Sequence, residues 1–531
     1  IKELSKLQAV INICNDKYHT DITFQNIVQS GLDDPKVYQL LQKGYTQNIF
    51  QFSSKGMTKF LVSMQPDKIE DLIAANALFR PATLDSGSTD KYVDCKLGDA
   101  DPVYLWGTYN AMKNTYGVLC YQEQLAQIAR EVGKFSLGEG VKLVKLISKK
   151  KVDKILALRD KFMTGANENG CPKEDAEAIW HMFEVAGGYL FNKSHATAYA
   201  VTAYAGAYLK ANYPTAFYTI ALQWAKDDEI PTLMSEMELC SEAKIVPPDI
   251  NVSGGTFITD YETNKIFWSL SRIKMLGAKA TEWIINERNV RGEFSSIENF
   301  IERIFRYKLK QYKYWDDPDN PNEATKCPVN ARHVRHLILS GCFDKTENAQ
   351  SVIERYAILE KAAKCLGFEI SEKDIPEDLR NKHYFWSQQQ IAISGIGAID
   401  YKRIYDNSEA KPKIKGKASW ALLKNIQDPD YDGKRVAVCA NIVDIEEKKF
   451  KDKKTGENRV FCKLLLQQNN DLVEMIIWND EWMNVRATLC KGGPLSSAKN
   501  KMLICSAQVK YSDYTGGNNL QLYKSSIIDI L

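Results

Sequence analysis

At 531 residues the chain exceeds what one hydrophobic core holds, and a soft figure of roughly 150 residues per domain divides it into three or four. Hydrophobic residues at 44% and charged residues at 26% leave no room for extensive disorder, and with no run of ~18 apolar residues and no basic-then-apolar leader, neither a membrane helix nor a signal peptide is predicted. The net charge of +3 places any nucleic-acid affinity in local clusters, and twelve cysteines without a CxxC pair predict reduced thiols, not a zinc ribbon or redox motif.

Ile1 falls directly into a helical pattern, Leu4, Leu7, Val10 and Ile11, with no lead-in turn, so the chain reads as cut from something longer. Helical spacing continues to about residue 250, as in Ile69, Leu72, Ile73, Ala77 and in Ile179, Met182, Phe183, Ala186, with breaks at Arg80-Pro81 and Tyr213-Pro214. Between Glu139 and Lys161 stand eight Lys or Arg against three acids, including Lys149, Lys150 and Lys151. They suit a solvated helix face or contact with phosphate equally well. In the run Gly187 to Ala200, Ser194 is a good N-cap for an alanine-rich helix reaching Ala211. Lys193 and His195 then sit at a helix start whose free amides and dipole favour an anion. A capped helix with one cation packed on a neighbour is the alternative.

Val246-Pro247-Pro248 marks a boundary near 250, followed by a β-like stretch, Lys265 to Leu270. Short helices are predicted at Ala280 to Arg288, Ile297 to Ile304 and Ala331 to Leu339. Residues 308–327 and 345–430 read as insertions or linkers by composition. His333 and His336 lack a third metal ligand and are assigned to a solvated or phosphate-facing helix surface. After Gly433 the period becomes two. Strands are predicted at Arg435 to Ile442, Arg459 to Leu466, Asp471 to Trp478, Met502 to Tyr511 and Leu520 to Ile530, with a helix near Glu481 to Val485 after the third. That order is the order of a five-stranded OB-fold barrel. Phe461, Lys463, Trp478 and Tyr511, with a basic hairpin bearing Lys448, Lys449, Lys451, Lys453 and Lys454, suit a single strand stacked on aromatics, although such aromatics also serve as core.

Several long motifs, in one order, resemble the bacterial family C replicative DNA polymerases, the polymerase III alpha subunits. Gly187 to Ala200 (GGYLFNKSHATAYA) is similar to the family's GYGFNKSHSAAYA, and Ile49 to Met57 (IFQFSSKGM) to VFQLESRGM. Tyr116 to Gln124 (YGVLCYQEQ) is similar to YGIILYQEQ, and Val144 to Lys151 (VKLISKKK) to RRAMGKKK. The resemblance implies a multidomain chain: the end of a palm at 1–30, an α-rich fingers domain at 31–250, a small tandem helix-hairpin-helix module at 251–345, a helical linker at 346–430 and an OB barrel at 431–531. It implies triphosphate contacts from Lys145, Lys193, Lys55 and Arg80, and it places His195 beside the incoming sugar, where bulk excludes a 2′-hydroxyl. Val144 stands where the family has the first of two arginines, so Val144→Arg is expected to tighten dNTP binding. The DNA contacts implied are Lys149, Lys150, Lys151, Gly277, Arg332, Arg335, Lys451, Lys453, Lys454, Phe461, Lys463 and Trp478. Of the two glycines in the family's first hairpin, Met275-Leu276-Gly277 keeps one.

The partners implied are primer-template DNA, dNTPs, a palm outside this chain and a sliding clamp, for which no binding peptide is seen between 345 and 430. Mg²⁺ is implied for the complete polymerase, with its aspartate ligands upstream, so the chain alone is expected to be inactive in a bacterial or phage-infected cytoplasm. The rival reading is a non-catalytic DNA-binding accessory protein. A looser one takes the barrel alone as informative, in an RNA-binding chain.

Overall fold

The computed structural model of the chain describes residues 2–148, 152–186, 190–305, 327–397, 401–406, 408–414, 416–451, 456–469, 471–499, 501–512, 517–523, 526 and 528–530. They divide into two units, residues 1–224 with 236–243 and residues 225–235 with 244–531. No helix among the described residues is long and apolar enough to cross a membrane.

The first unit is built on the Lys193–Asn212 helix. Its buried residues include Ala196, Ala200, Ala203, Gly206 and Ala207, and side chains this small let the helices Lys2–Lys17, Pro35–Gln42, Ile69–Leu78 and Pro214–Trp224 pack close to its backbone. Pro214, lacking an amide hydrogen, ends that helix and opens the next. One cation is enclosed: Lys210 donates to the Tyr45 and Gln47 carbonyls at 3.0 and 2.8 Å and to the Glu236 carboxylate. Glu236 also accepts from Tyr218 Oη and from Gln47 N, each at 2.9 Å. Burial pushes the Lys210 ammonium below its usual range against the pull of Glu236, and this full set of partners is what makes an enclosed ion pair tolerable. A second core joins the helices Gln122–Glu131, Leu137–Ser148, Val152–Glu168 and Lys173–Ala186 through Leu125, Leu143, Phe162, Ile179 and Phe183. Here Gly165 meets the Gly133 backbone so closely that a Cβ on it would lie 2.1 Å from the Gly133 carbonyl oxygen.

The second unit opens with a small sheet of β1 (Lys244–Val246), β2 (Ile258–Asp260) and β3 (Lys265–Phe267), in the order β1-β3-β2. The helices Ala278–Arg291, Ile297–Phe305 and Ala331–Leu339 follow, near their expected positions. The stretch expected as a linker turns out otherwise over its first half. Ile358, Leu359, Ala362, Phe385, Trp386 and Ile393 join one core with Ile250, Ile284, Phe300 and Leu337, so the helices Arg355–Leu366 and His383–Ser394 pack on the preceding helices.

The C-terminal sheet comprises β4 (Ser419–Trp420), β5 (Arg435–Lys451), β6 (Asn458–Gln468), β7 (Asp471–Ile477), β8 (Met502–Ser512), β9 (Gly517–Gln521) and β10 (Ile528–Ile530). Five strands close a ring, β5-β6-β7-β9-β8, with β8 returning to β5 and β7 parallel to β9. Closure depends on β5, which pairs with β8 over Arg435 to Asn441 and with β6 beyond it, the register shifting between Ile442 and Asp444. The helix Asn479–Cys490 lies between β7 and β8 and seats Trp482 in the barrel core. This is the OB order. The fifth predicted strand is divided among the described residues into β9 and β10, both of which pair antiparallel with β8.

Candidate functional site

The Lys193–Asn212 helix starts where the sequence places it, under a different cap. Asn192, not Ser194, is the N-cap, its Oδ1 accepting from His195 N at 2.9 Å. Its position is fixed by a short parallel bridge in which Phe191 N donates to Cys120 O and Gln122 N to Phe191 O, both at 2.9 Å. Glu123, one residue further on, turns its carboxylate onto the helix start, accepting from Lys193 N at 2.9 Å and from Asn192 Nδ2 at 3.0 Å. The dipole favours a carboxylate there, and with the cap it takes up two of the amides that the sequence reading left free for an anion. Lys193 and His195 therefore offer a ligand their side chains. Lys193 Nζ lies over the Tyr121 ring, 5.5 Å from its centroid.

A cleft opens beside this helix, lined by Gln51, Ser54, Met57, Asn76, Phe79, Arg80, Phe191, His195 and Tyr199. Arg80 precedes Pro81 and is held in extended backbone, which turns its guanidinium over the Phe191 ring at 4.9 Å. His195 lies 5.5 Å from Phe191 and 4.1 Å from Tyr199, centroid to centroid. The Ile69–Leu78 helix, which carries Asn76, is anchored from behind: the buried Asp71 carboxylate accepts from Tyr92 Oη and pairs with Lys96, each at 2.9 Å. Burial raises the Asp71 carboxyl above the usual range, and Lys96 opposes that rise.

The cleft brings together Arg80 and His195 of the expected nucleotide residues. Lys55, exposed, opens the Lys55–Met64 helix next to Ser54. Lys145 is exposed on Leu137–Ser148 and does not line the cleft, while its neighbour Val144 is buried in the helical core. Among the described residues none of Lys55, Arg80, Lys145 and Lys193 has a carboxylate in ion-pair range of its side chain. Gln51, Asn76, Phe79, Phe191 and Tyr199 were not singled out as site residues. Tyr199 was signalled by its spacing of four from His195, whereas Asn76 gave no signal.

In the hairpin module Gly277 caps Ala278–Arg291, and Met275 takes φ 69°, left-handed backbone. Arg332 is exposed, but Arg335 is paired with Asp374 at 2.5 Å. His333 and His336 are not free solvent-facing groups. His333 closes a capping box with Asn330, burial and the neighbouring cations lowering its pKa, and His336 Nδ1 meets the Lys274 carbonyl at 2.6 Å. On the barrel, Phe461 and Trp478 lie 5.4 Å apart and share Phe450, Trp478 being 41% exposed. Lys463 is occupied by Glu474 across the ladder at 2.5 Å, and Lys451 is exposed at the end of β5. Lys149, Lys150, Lys151, Lys453 and Lys454 lie outside the described residues.

Comparison with known proteins converges on one family. The bacterial DNA polymerase III alpha subunit finger domain matches residues 3–170, and a helix-hairpin-helix motif matches residues 242–314. The alpha subunit of Aquifex aeolicus is 34% identical over 483 residues, 90% of this chain and 38% of that protein. The Escherichia coli K12 subunit is 28% identical over 528 residues, 95% of this chain and 42% of that protein. This chain is a DNA polymerase III alpha relative. It spans about two fifths of the length of these relatives. The finger-domain match begins at residue 3, inside the stretch assigned from sequence to the end of the palm, and it covers Gln51 to Arg80 of the cleft. Phe191, His195 and Tyr199 lie beyond that match, within the longer alignments to whole alpha subunits. Mg²⁺ finds no fitting donor set in this polymerase relative: among the described residues no three His, Cys, Asp or Glu side chains converge to hold a metal ion.

Proposed function

We propose that the chain is the nucleotide-binding and primer-template-binding part of a replicative, cytoplasmic DNA-directed DNA polymerase, with the metal-holding carboxylates in a palm that these residues do not supply. The observation that carries the reading is the cleft in which Arg80, Phe191 and His195 converge, within and beside the finger-domain match. A guanidinium stacked on an aromatic ring and free of carboxylate partners is suited to a phosphate, because its five donors stay available in a fixed plane. Lys55 and Lys193 add positive charge on adjoining helix starts. His195 supplies bulk at the sugar. Gly277 with the following helix, and the Phe450, Phe461 and Trp478 group on the barrel, serve duplex and single-stranded template respectively. A sliding clamp and the palm are the protein partners in this reading.

The test joins the chain to a palm-bearing partner and measures templated dNTP incorporation. Arg80→Ala and Lys193→Ala should each raise the dNTP requirement by roughly tenfold to a hundredfold, the scale of a charge-assisted contact of about 1.5–3 kcal/mol, while leaving primer-template affinity unchanged. No synthesis with any palm, together with intact DNA binding, would favour a non-catalytic accessory protein instead.

A further inference from the structure

The aromatic lining of the cleft is backed by a further ring, Phe50, that does not itself line it. His195 is exposed at the first turn of its helix, yet its imidazole has a ring on either side, Phe191 four residues before and Tyr199 four residues after. Tyr199 is the nearer, with centroids 4.1 Å apart and planes at 44°. It is itself backed by Phe50, 4.9 Å away and tilted by 36°. The row Phe50, Tyr199, His195, Phe191, Arg80 is thus continuous, and it draws on three separate segments of the chain.

An exposed side chain at a helix start ordinarily exchanges rotamers in picoseconds to nanoseconds. A ring that swings away cannot refuse a group as small as one hydroxyl, because the misplacement that matters is about 1 Å. Steric selection of a sugar therefore depends on whatever keeps the selecting ring still. In this cleft that is an i,i+4 aromatic neighbour whose own position is set by a ring from another segment.

We propose that Tyr199, backed by Phe50, is a positioning residue for sugar selection, holding the His195 imidazole as a fixed wall against a ribose 2′-hydroxyl. The inference rests on the nucleotide reading of the cleft and extends it to two residues that do the work through His195. The ring is what matters, not the phenol oxygen, so Tyr199→Phe preserves the effect and Tyr199→Leu removes it.

The experiment uses the full chain with a primer-template presenting cytosine, titrated with dGTP and with GTP. Wild type and Tyr199→Phe should share one ratio of GTP to dGTP Kd. Tyr199→Leu and Phe50→Leu should lower that ratio by about tenfold, through tighter GTP binding with dGTP little changed. The His195 ring protons, displaced by ring current in the wild-type NMR spectrum, should keep their shift in Tyr199→Phe and lose it in Tyr199→Leu. Should Tyr199→Leu not fold, Phe50→Leu is read in its place. An unchanged ratio in the leucine variants, or equal weakening of both nucleotides, overturns the proposal, and the nucleotide reading survives if Arg80→Ala still weakens dGTP binding. If dGTP does not bind, or if Arg80→Ala and His195→Ala leave its binding untouched, the nucleotide reading and the proposal fall together.

Discussion

At the scale of single residues, burial decides what a family position can accept. Val144 occupies the place of a family arginine, and from sequence its replacement by arginine promised a second phosphate contact. The side chain is 8% exposed and packed in the core of Leu125, Leu143, Phe162 and Phe183, so Val144→Arg is expected to destabilise the fold by on the order of 3 kcal/mol, the scale of an uncompensated buried charge. A lowered urea midpoint with no gain in nucleotide affinity is the outcome to look for. Met275 is the converse case. Its backbone keeps the left-handed φ of 69° that glycine adopts without strain, while its side chain is 56% exposed and contributes little packing. Met275→Gly should raise stability by about 1 kcal/mol, read as a higher denaturation midpoint; a lower midpoint would mean that the side chain holds the hairpin.

At the scale of elements, the start of the Leu137–Ser148 helix shows how side chains from two segments set a boundary. Ser136 and Glu139 exchange hydrogen bonds as a capping box, Ser136 N to Glu139 Oε2 at 3.0 Å and Glu139 N to Ser136 Oγ at 3.3 Å, and Lys161 pairs with the same carboxylate. The Lys161 contact, then the Ser136 hydrogen bonds, hold the Glu139 pKa at about 2 against an ordinary 4.5. A carboxyl depressed in the folded state contributes stability that is complete above 4.5 and lost as pH falls toward 2. Amides at this helix start should accordingly exchange faster as pH drops through that window, once intrinsic rates are divided out, and Glu139→Gln should flatten the dependence. A dependence that persists in Glu139→Gln would place the titrating group elsewhere. Other boundaries were harder to read. Asn192 and Ser194 are both competent caps, and the choice follows from Glu123, a partner some seventy positions away that no local pattern reveals. The barrel was legible where a period of two shows, in β6 and β7, whereas β5 and β8 bury consecutive residues, Val436 to Ala440 and Met502 to Ala507. The helices Arg355–Leu366 and His383–Ser394 looked like a linker because the core they complete lies far back in the chain, at Ile250 and Ile284.

At the scale of the whole molecule, a net charge of +3 gives no general attraction to DNA, so under the proposed function affinity would rest on the few cations still free to meet phosphate. Counting basic residues in the sequence overstates their number. Arg335 and Lys463 read as DNA contacts from composition and resemblance, yet each is held by an acid at 2.5 Å, Lys463 by Glu474 on the next strand and Arg335 by Asp374, a residue too distant in sequence for spacing to disclose. Arg332 and Lys451 are exposed and have no carboxylate partner among the described residues. Salt dependence separates the two classes, because each cation that neutralises a phosphate releases condensed counterions and steepens the fall of log K with log salt by about 0.9 on duplex and about 0.7 on single strands. Primer-template binding by the full chain should weaken steeply between 50 and 200 mM salt, conditions over which several phosphate contacts cost orders of magnitude in affinity. Arg332→Ala should then reduce the slope on duplex by nearly one, and Lys451→Ala should do so on single-stranded template. Arg335→Ala and Lys463→Ala should leave both slopes unchanged, since their charges are already neutralised within the fold. If the slope responds to Lys463 and not to Lys451, the Glu474 pair opens on binding, and the barrel face rather than the end of β5 carries the strand.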